Sequence, residues 1–347
     1  MDKQSYIGKI YFFAVLSVIV VRVLSGAGVF AQFSLSSSQV FSLLVQCVCM
    51  GLIPLVLYMV RTPRARGTSP NLRRAFKTTL RDFGYIGKVA QANWGRTLCI
   101  AVLMIFTAKF ISFIWSNALV SIGYTPATSS PTEYLNIGDL FLAIFMTAVL
   151  PAVFEELTHR GLLFAGFRNN GIGVVFVTAA LFALIHNNIR QTGYTFYDGV
   201  ILGLLVYYTR SIYPAMLVHF LNNFSSVLGD YAGQNGGVYA YVNMFYNLLL
   251  NTLVGRIIYA VLFVLALYFM FELFRGMRRD NKKYKCFSVL DVKIYSVEDY
   301  DFGALLKAAP YASFPAVRAK KLNVFLAAAV FLSAGATLFS FIWGILR

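Results

Sequence analysis

Long apolar runs separated by short polar stretches fill this chain, and their lengths are those of membrane-spanning helices. A span needs about 20 predominantly apolar residues. The pattern predicts helices near 10–33, 39–60, 98–122, 138–156, 171–187, 199–213, 214–228, 251–274 and 324–346. The two segments around 199–228 are short and divided by Pro214. The expected fold class is therefore all-α, a polytopic transmembrane helix bundle of about eight or nine spans. The first run follows Lys3 and Lys9, contains Arg22 and reaches Val29-Phe30-Ala31, which could pass for a signal-peptidase site. The run is long for the apolar region of a signal peptide, so it is expected to stay as an uncleaved first helix.

Composition sharpens this picture. Of 347 residues, 59% are hydrophobic and 13% charged, against about 25% charged in soluble globular chains. The net charge of +16 comes mostly from two bunches. Residues 61–96 hold nine basic side chains (Arg61, Arg64, Arg66, Arg73, Arg74, Lys77, Arg81, Lys88 and Arg96) and 275–285 hold six, whereas 34–38 and 231–250 hold no charge. Such bunches stay on the cytoplasmic side of a membrane. Six predicted helices separate them, an even number, so both can face the cytoplasm together. The N-terminus is then inside and, with nine spans, the C-terminus outside. The chain reads as a multi-pass protein of the cell membrane, with the lipid bilayer as a partner and no nucleic acid. Residues 286–323 read as a cytoplasmic segment of mixed polarity. The four cysteines, Cys47, Cys49, Cys99 and Cys286, show no paired metal spacing and no disulfide framework.

Three clusters hold every histidine and a pair of adjacent glutamates within or beside apolar runs: Glu155-Glu156-Leu157-Thr158-His159-Arg160, Phe182-Ala183-Leu184-Ile185-His186, and His219-Phe220-Leu221-Asn222-Asn223. Ionisable side chains are costly there and usually functional. On a helix, Glu156 and Arg160 face one another at i, i+4 and can form an ion pair. Glu155 points about 100° away from that pair, towards a substrate or water. The plainer alternative is a structural ion pair at a helix end. His186 lies four residues after Phe182, whose ring can pack beneath the imidazole; a satisfied polar group at a helix end is the competing reading. His219 and Asn223 share a helical face and offer two donors aimed at one point, as an oxyanion site requires. They could equally be glue between helices.

Depth decides whether the clusters can meet. With a turn near Asn170-Gly171, Glu155 and His186 both lie about 15 residues, roughly 22 Å, from it. His219 is about six residues, roughly 9 Å, beyond the 210–213 turn. The figures agree only if the hairpin projects beyond the bilayer on the cytoplasmic side, as Arg160, Arg168, Asn169 and Asn170 lead one to expect.

The ordered set E-E-x-x-x-R, F-x-x-x-H and H-x-x-x-N resembles the CPBP family of intramembrane endopeptidases, which includes type II CAAX prenyl endopeptidases and bacterial bacteriocin-processing or immunity (Abi) proteins. The resemblance covers about a quarter of the chain, roughly 138–228. It divides the sequence into N-terminal helices with a basic loop (1–137), a CPBP-like catalytic core (138–230) and C-terminal helices with a cytoplasmic segment (231–347). It implies a glutamate-dependent endopeptidase acting on a membrane-associated protein or peptide. Glu155 and His186 would hold and deprotonate the attacking water, and His219 and Asn223 would stabilise the oxyanion. Glu156, Arg160 and Phe182 would support them. One departure is His159, where an aromatic residue is common in the family; it is expected to face the cytoplasm, the alternative being that it tunes Glu155.

No cofactor is expected. A zinc site of two histidines and a glutamate is the competing chemistry, although H-E-x-x-H is absent. An aspartyl mechanism on Asp198 and Asp230 fits less well, because Leu228-Gly229-Asp230 lacks the first glycine of G-x-G-D. A non-proteolytic immunity or signalling partner is the reading from another class. A transporter would usually show paired broken helices or related halves.

Overall fold

The computed structural model describes residues 3–32, 36–65, 72–85, 89–126, 133–167, 171–284 and 323–346. Most of the expected cytoplasmic segment 286–323, and the turn residues 168–170, lie outside them. Among the described residues the chain is helical, without strands. The helices are α1 (Lys3–Gly26), α2 (Ser37–Leu43), α3 (Ile53–Ala65), α4 (Leu72–Asp82), α5 (Gln91–Ser121), α6 (Ile137–Ala143), α7 (Leu150–Glu156), α8 (Phe164–Phe167), α9 (Gly173–Ile185), α10 (Ile189–Thr209), α11 (Tyr213–Asn235), α12 (Tyr239–Asn251), α13 (Leu253–Tyr284) and α14 (Val324–Ile345). Three π-helical segments, Leu44–Leu52, Ile144–Val149 and Leu157–Leu163, join α2 to α3, α6 to α7 and α7 to α8 without a break.

Among the described residues six rods are long and apolar enough to cross a membrane: Gln4–Gly26, Ser37–Val60, Gln91–Ser121, Ile137–Phe167, Leu253–Asp280 and Val324–Ile345. Their outer faces are apolar, as on α13, where Val261, Val264, Tyr268 and Phe269 are exposed; lipid is the solvent that such a face requires. The shared core draws on Ile7, Tyr58, Met104, Leu163, Leu205, Val218, Met277 and Ala329, so helices from both ends of the sequence close around the centre.

Three expectations change. The fourth rod continues past residue 156 to Phe167, and Leu157–Phe167 is buried throughout. Arg160 is 0% exposed, so it does not mark a solvated projection. The segment is covered by α1 and by the loop after α4: Phe83 lies against Gly161 and Ile7 against Gly166. The segments expected at 199–213 and 214–228 are instead helices of 21 and 23 residues, α10 and α11, which begin or end in polar sequence. Their polar side chains face an interior cavity rather than lipid, which a hydropathy window cannot distinguish. Pro214 sits in the first turn of α11, where its missing N–H costs nothing. Finally, the basic loop contains a helix, α4, which buries Ala75, Thr79 and Asp82 on one face and exposes Arg73 and Lys77 on the other. Tyr58 anchors it by donating to Asp82 at 2.9 Å.

The bundle has two distinct ends. At one, Tyr6 donates to the Leu57 carbonyl, Asn323 to Gln4 at 2.6 Å, and Tyr213 to Tyr85 at 2.7 Å, while Arg96 pairs with Asp280. The beginning of α1, α4, the start of α5 and the end of α13 are thus gathered there, with the described parts of both basic stretches. At the other end Thr125 donates to the Gly344 carbonyl at 2.7 Å, and Ile189 to Ser340 at 2.9 Å. The end of α14 therefore lies opposite the beginning of α1.

Candidate active site

Glu155 and Glu156 close α7, and the π-helical segment beginning at Leu157 carries His159 and Arg160. Glu156 and Arg160 are both 0% exposed and joined at 2.7 Å. The guanidinium also donates to the Gly199 carbonyl on α10 at 2.9 Å and lies 4.5 Å over the Phe182 ring. Charge-assisted hydrogen bonds and a ring face together offset part of the cost of burying this pair. The same Glu156 oxygen accepts from His219 Nδ1 at 3.0 Å.

Glu155 points away from that pair, as its place on the helix requires. It is 9% exposed; Gln46 Nε2 donates to its Oε1 at 2.6 Å, and Oε2 lies 3.8 Å from His219 Nε2. The depth conflict between His219 and Glu155 disappears because the buried segment Leu157–Phe167 runs on beyond the site. His186 ends α9 and donates from Nδ1 to the Phe182 carbonyl at 2.7 Å. In its neutral form His186 therefore carries a lone pair on Nε2. Asn223 donates to the Thr147 carbonyl at 3.0 Å, a group on the second π-helical segment.

All three histidines of the chain meet edge-on at the Phe182 ring, with centroids 5.1 Å (His159), 5.1 Å (His186) and 5.8 Å (His219) away. His159 is 0% exposed, bonded through Nδ1 to the Glu155 carbonyl at 2.9 Å and packed against Tyr11. It does not face solvent. The expectation failed because the hairpin beyond residue 156 was expected to project from the bilayer, whereas the rod continues buried to Phe167 and turns its 159 face inward.

A cavity of about 510 Å³ is lined by Glu155, Phe182, His186, His219 and Asn223 together. Glu156, Arg160 and His159 stand behind that wall. Further wall residues had no role assigned to them from the sequence, among them Gln46, Thr147 and Asp198. Gln46 carried a usable signal, a lone amide within an apolar run. Asp198 carried the same signal but was weighed only against an aspartyl motif. Each π-helical segment contributes one group to the site, namely Gln46, the Thr147 carbonyl and Arg160, in keeping with the frequent placement of π turns at functional sites. Electrostatically the site reaches the loop after α4: burial pushes the Tyr85 phenol up, and the nearby Glu156 charge adds to the effect. Among the described residues no three His, Cys, Asp or Glu side chains are grouped as a metal ion would need.

Fold and site together define a polytopic membrane protein with carboxylates, imidazoles and an arginine gathered at a cavity inside its helices. Residues 137–225 match the family model described as type II CAAX prenyl endopeptidase Rce1-like. This match supports the resemblance to the CPBP family of membrane endopeptidases carried by the three motifs. The matched stretch runs from the start of α6 into α11 and contains the whole motif set. Comparison with curated proteins and with solved structures gave no match to either.

Proposed function

We propose that this chain is an intramembrane endopeptidase in which Glu155 activates the water that hydrolyses a peptide bond of a membrane-associated protein or peptide. The observation that carries the reading is Glu155 itself: a carboxylate on the cavity wall, held by Gln46, with His219 Nε2 3.8 Å from its Oε2 and His186 lining the same cavity. Water placed between Glu155 and His186 loses a proton to Glu155, and the resulting hydroxide attacks the carbonyl carbon. The proton then passes to the departing nitrogen. His186, with Nδ1 donating to Phe182, accepts a hydrogen bond from the water at Nε2.

His219 requires a closer statement than an ordinary neutral donor. Glu156 only accepts, so His219 Nδ1 carries a proton, and a neutral ring then has none on Nε2. An oxyanion donor at this position must be the imidazolium, which the adjacent Glu156 favours. Asn223 is already bonded to Thr147, so it serves the oxyanion with its second amide hydrogen.

The test uses the purified protein in lipid nanodiscs with a panel of membrane-anchored fluorogenic peptides. Glu155→Gln keeps size and hydrogen bonding but removes the proton acceptor, and cleavage is expected to fall by about 10² or more. A strong chelator should leave the parent enzyme unchanged. Loss of activity restored by added zinc would replace this mechanism with a metal one, and full activity of Glu155→Gln would return the protein to the immunity or scaffold class.

A further inference from the structure

The cavity at Glu155 adjoins a larger one. A space of about 1060 Å³ lies among α1, α5, α10, α11 and α14, and Gln191, Tyr194, Asp198, Asn222 and Ser226 line both. Val23, Thr125, Asn188 and Trp343 stand on its outer part. All four are at the end of the bundle away from the basic stretches, close to the Thr125–Gly344 contact.

Two facing polar stripes connect the spaces. On α10 they are Gln191, Tyr194, Thr195 and Asp198; on α11, His219, Asn222, Asn223 and Ser226. Each set has the i, i+3, i+4, i+7 spacing of one helical face. Helices that meet dry inside a membrane present small side chains or polar ones bonded directly across the contact, and between these two stripes only Asn222 and Asp198 are so joined. Phenol, amide, hydroxyl and carboxyl groups on both faces instead mark a hydrated passage. Asp198 stands where the two spaces join. It is 5% exposed, and Asn222 donates to its Oδ2 at 3.3 Å, while its Oδ1 is buried with no hydrogen-bond partner. A buried carboxylate oxygen requires a donor, and the two cavities are the open sides from which water or a chain N–H can supply one.

We propose that water and the polar stretch of the substrate reach Glu155 through this vestibule, with substrate N–H groups meeting Asp198 at its throat. Basic stretches remain in the cytoplasm, so the substrate class is a peptide segment presented from the extracytoplasmic face, not a cytoplasmic tail. This deepens the endopeptidase reading and rests on it for what is done to the chain, but not for how the chain arrives.

Direction of access can be read without catalysis. In a background with serine at the four native cysteine positions, Ser112→Cys on the vestibule wall and Ser226→Cys at the throat are compared with Lys77→Cys on the exposed face of α4. The probe is a sulfonated, membrane-impermeant maleimide, applied to intact cells and to inverted membrane vesicles. Positions 112 and 226 are expected to label in intact cells, with position 77 labelling only in inverted vesicles. Labelling of 112 and 226 only in inverted vesicles, labelling of 226 from neither side, or labelling of 77 in intact cells each overturns the proposal. None of these outcomes depends on peptidase activity. A failed Glu155→Gln test leaves the access route standing, and a failed labelling test leaves the chemistry standing.

Discussion

A single aromatic ring ties the candidate site together. Phe182 touches all three imidazoles and carries the Arg160 guanidinium on its face, so its size matters more than its hydrophobicity. Phe182→Leu should retain the fold yet lower cleavage, because His186 and His219 lose the surface that fixes their planes; measuring kcat and KM separately would place the loss in kcat. The Glu156–Arg160 pair is a different case, because it is fully buried. Breaking a buried pair by removing one partner typically costs about 3–5 kcal/mol. Glu156→Gln is thus expected to lower the thermal unfolding midpoint in detergent, whereas Glu155→Gln should not. On the proposed mechanism His219→Ala should reduce the rate by about 10² to 10³, the usual effect of losing one oxyanion donor. If His219→Gln keeps most of the parent rate, the imidazolium charge is unnecessary there. Much of this scale was legible in the sequence. The i, i+4 relations gave the 156–160 pair and the packing of Phe182 on His186, both of which are local geometry. Gln46 and Asp198 depend on distant segments meeting, and spacing along the chain carries no trace of that.

At the scale of elements, the placement of His186 depends on how closely α9 and α10 approach. A Cβ at Gly199 would lie 2.9 Å from the Ala179 Cα, and one at Gly203 would lie 3.0 Å from Val175 Cγ1. The two glycines are four residues apart and form the small-xxx-small stripe by which membrane helices pack. Gly199→Val should spread the pair, displace the carbonyl that holds Arg160 and disorder His186. Loss of cleavage with normal membrane insertion would be the signature, and wild-type turnover would show that the contact can relax. This stripe was readable, since Gly199-Val200-Ile201-Leu202-Gly203 stands plainly in the chain. The ends of α10 and α11 were not, because their polar turns resemble loops until the interior cavity they face is known.

For the whole molecule, the asymmetry between the two ends is the organising fact. Charge bunching in the sequence led both basic stretches to be expected on one side, and the helices gather the described parts of both at one end. The last helix belongs to this arrangement despite its distance in sequence from the matched domain. Asn323 holds the beginning of α1, Ala329 is fully buried, and Trp343 stands at the vestibule. A chain ending at residue 323 should therefore accumulate poorly in membranes and, where it accumulates, label faster at Ser112→Cys because one vestibule wall is gone. Equal accumulation and unchanged labelling would make the last helix dispensable.

The three π-helical segments also bear on what insertions and deletions the protein can survive. A π turn holds one more residue than the α turn it replaces. Removing a single residue from 157–163 would let the rod close into a regular α-helix. Because the residue lost is the extra one, α8 would keep nearly its place relative to α7, and the change of direction would fall on the side chains within 157–163. Glu156 would keep its place while Arg160 left it. The expected product is a more regular helix in a less stable and inactive protein. Lengthening the same rod at its 137 end should be tolerated, because the register between the carboxylate and the guanidinium would be untouched.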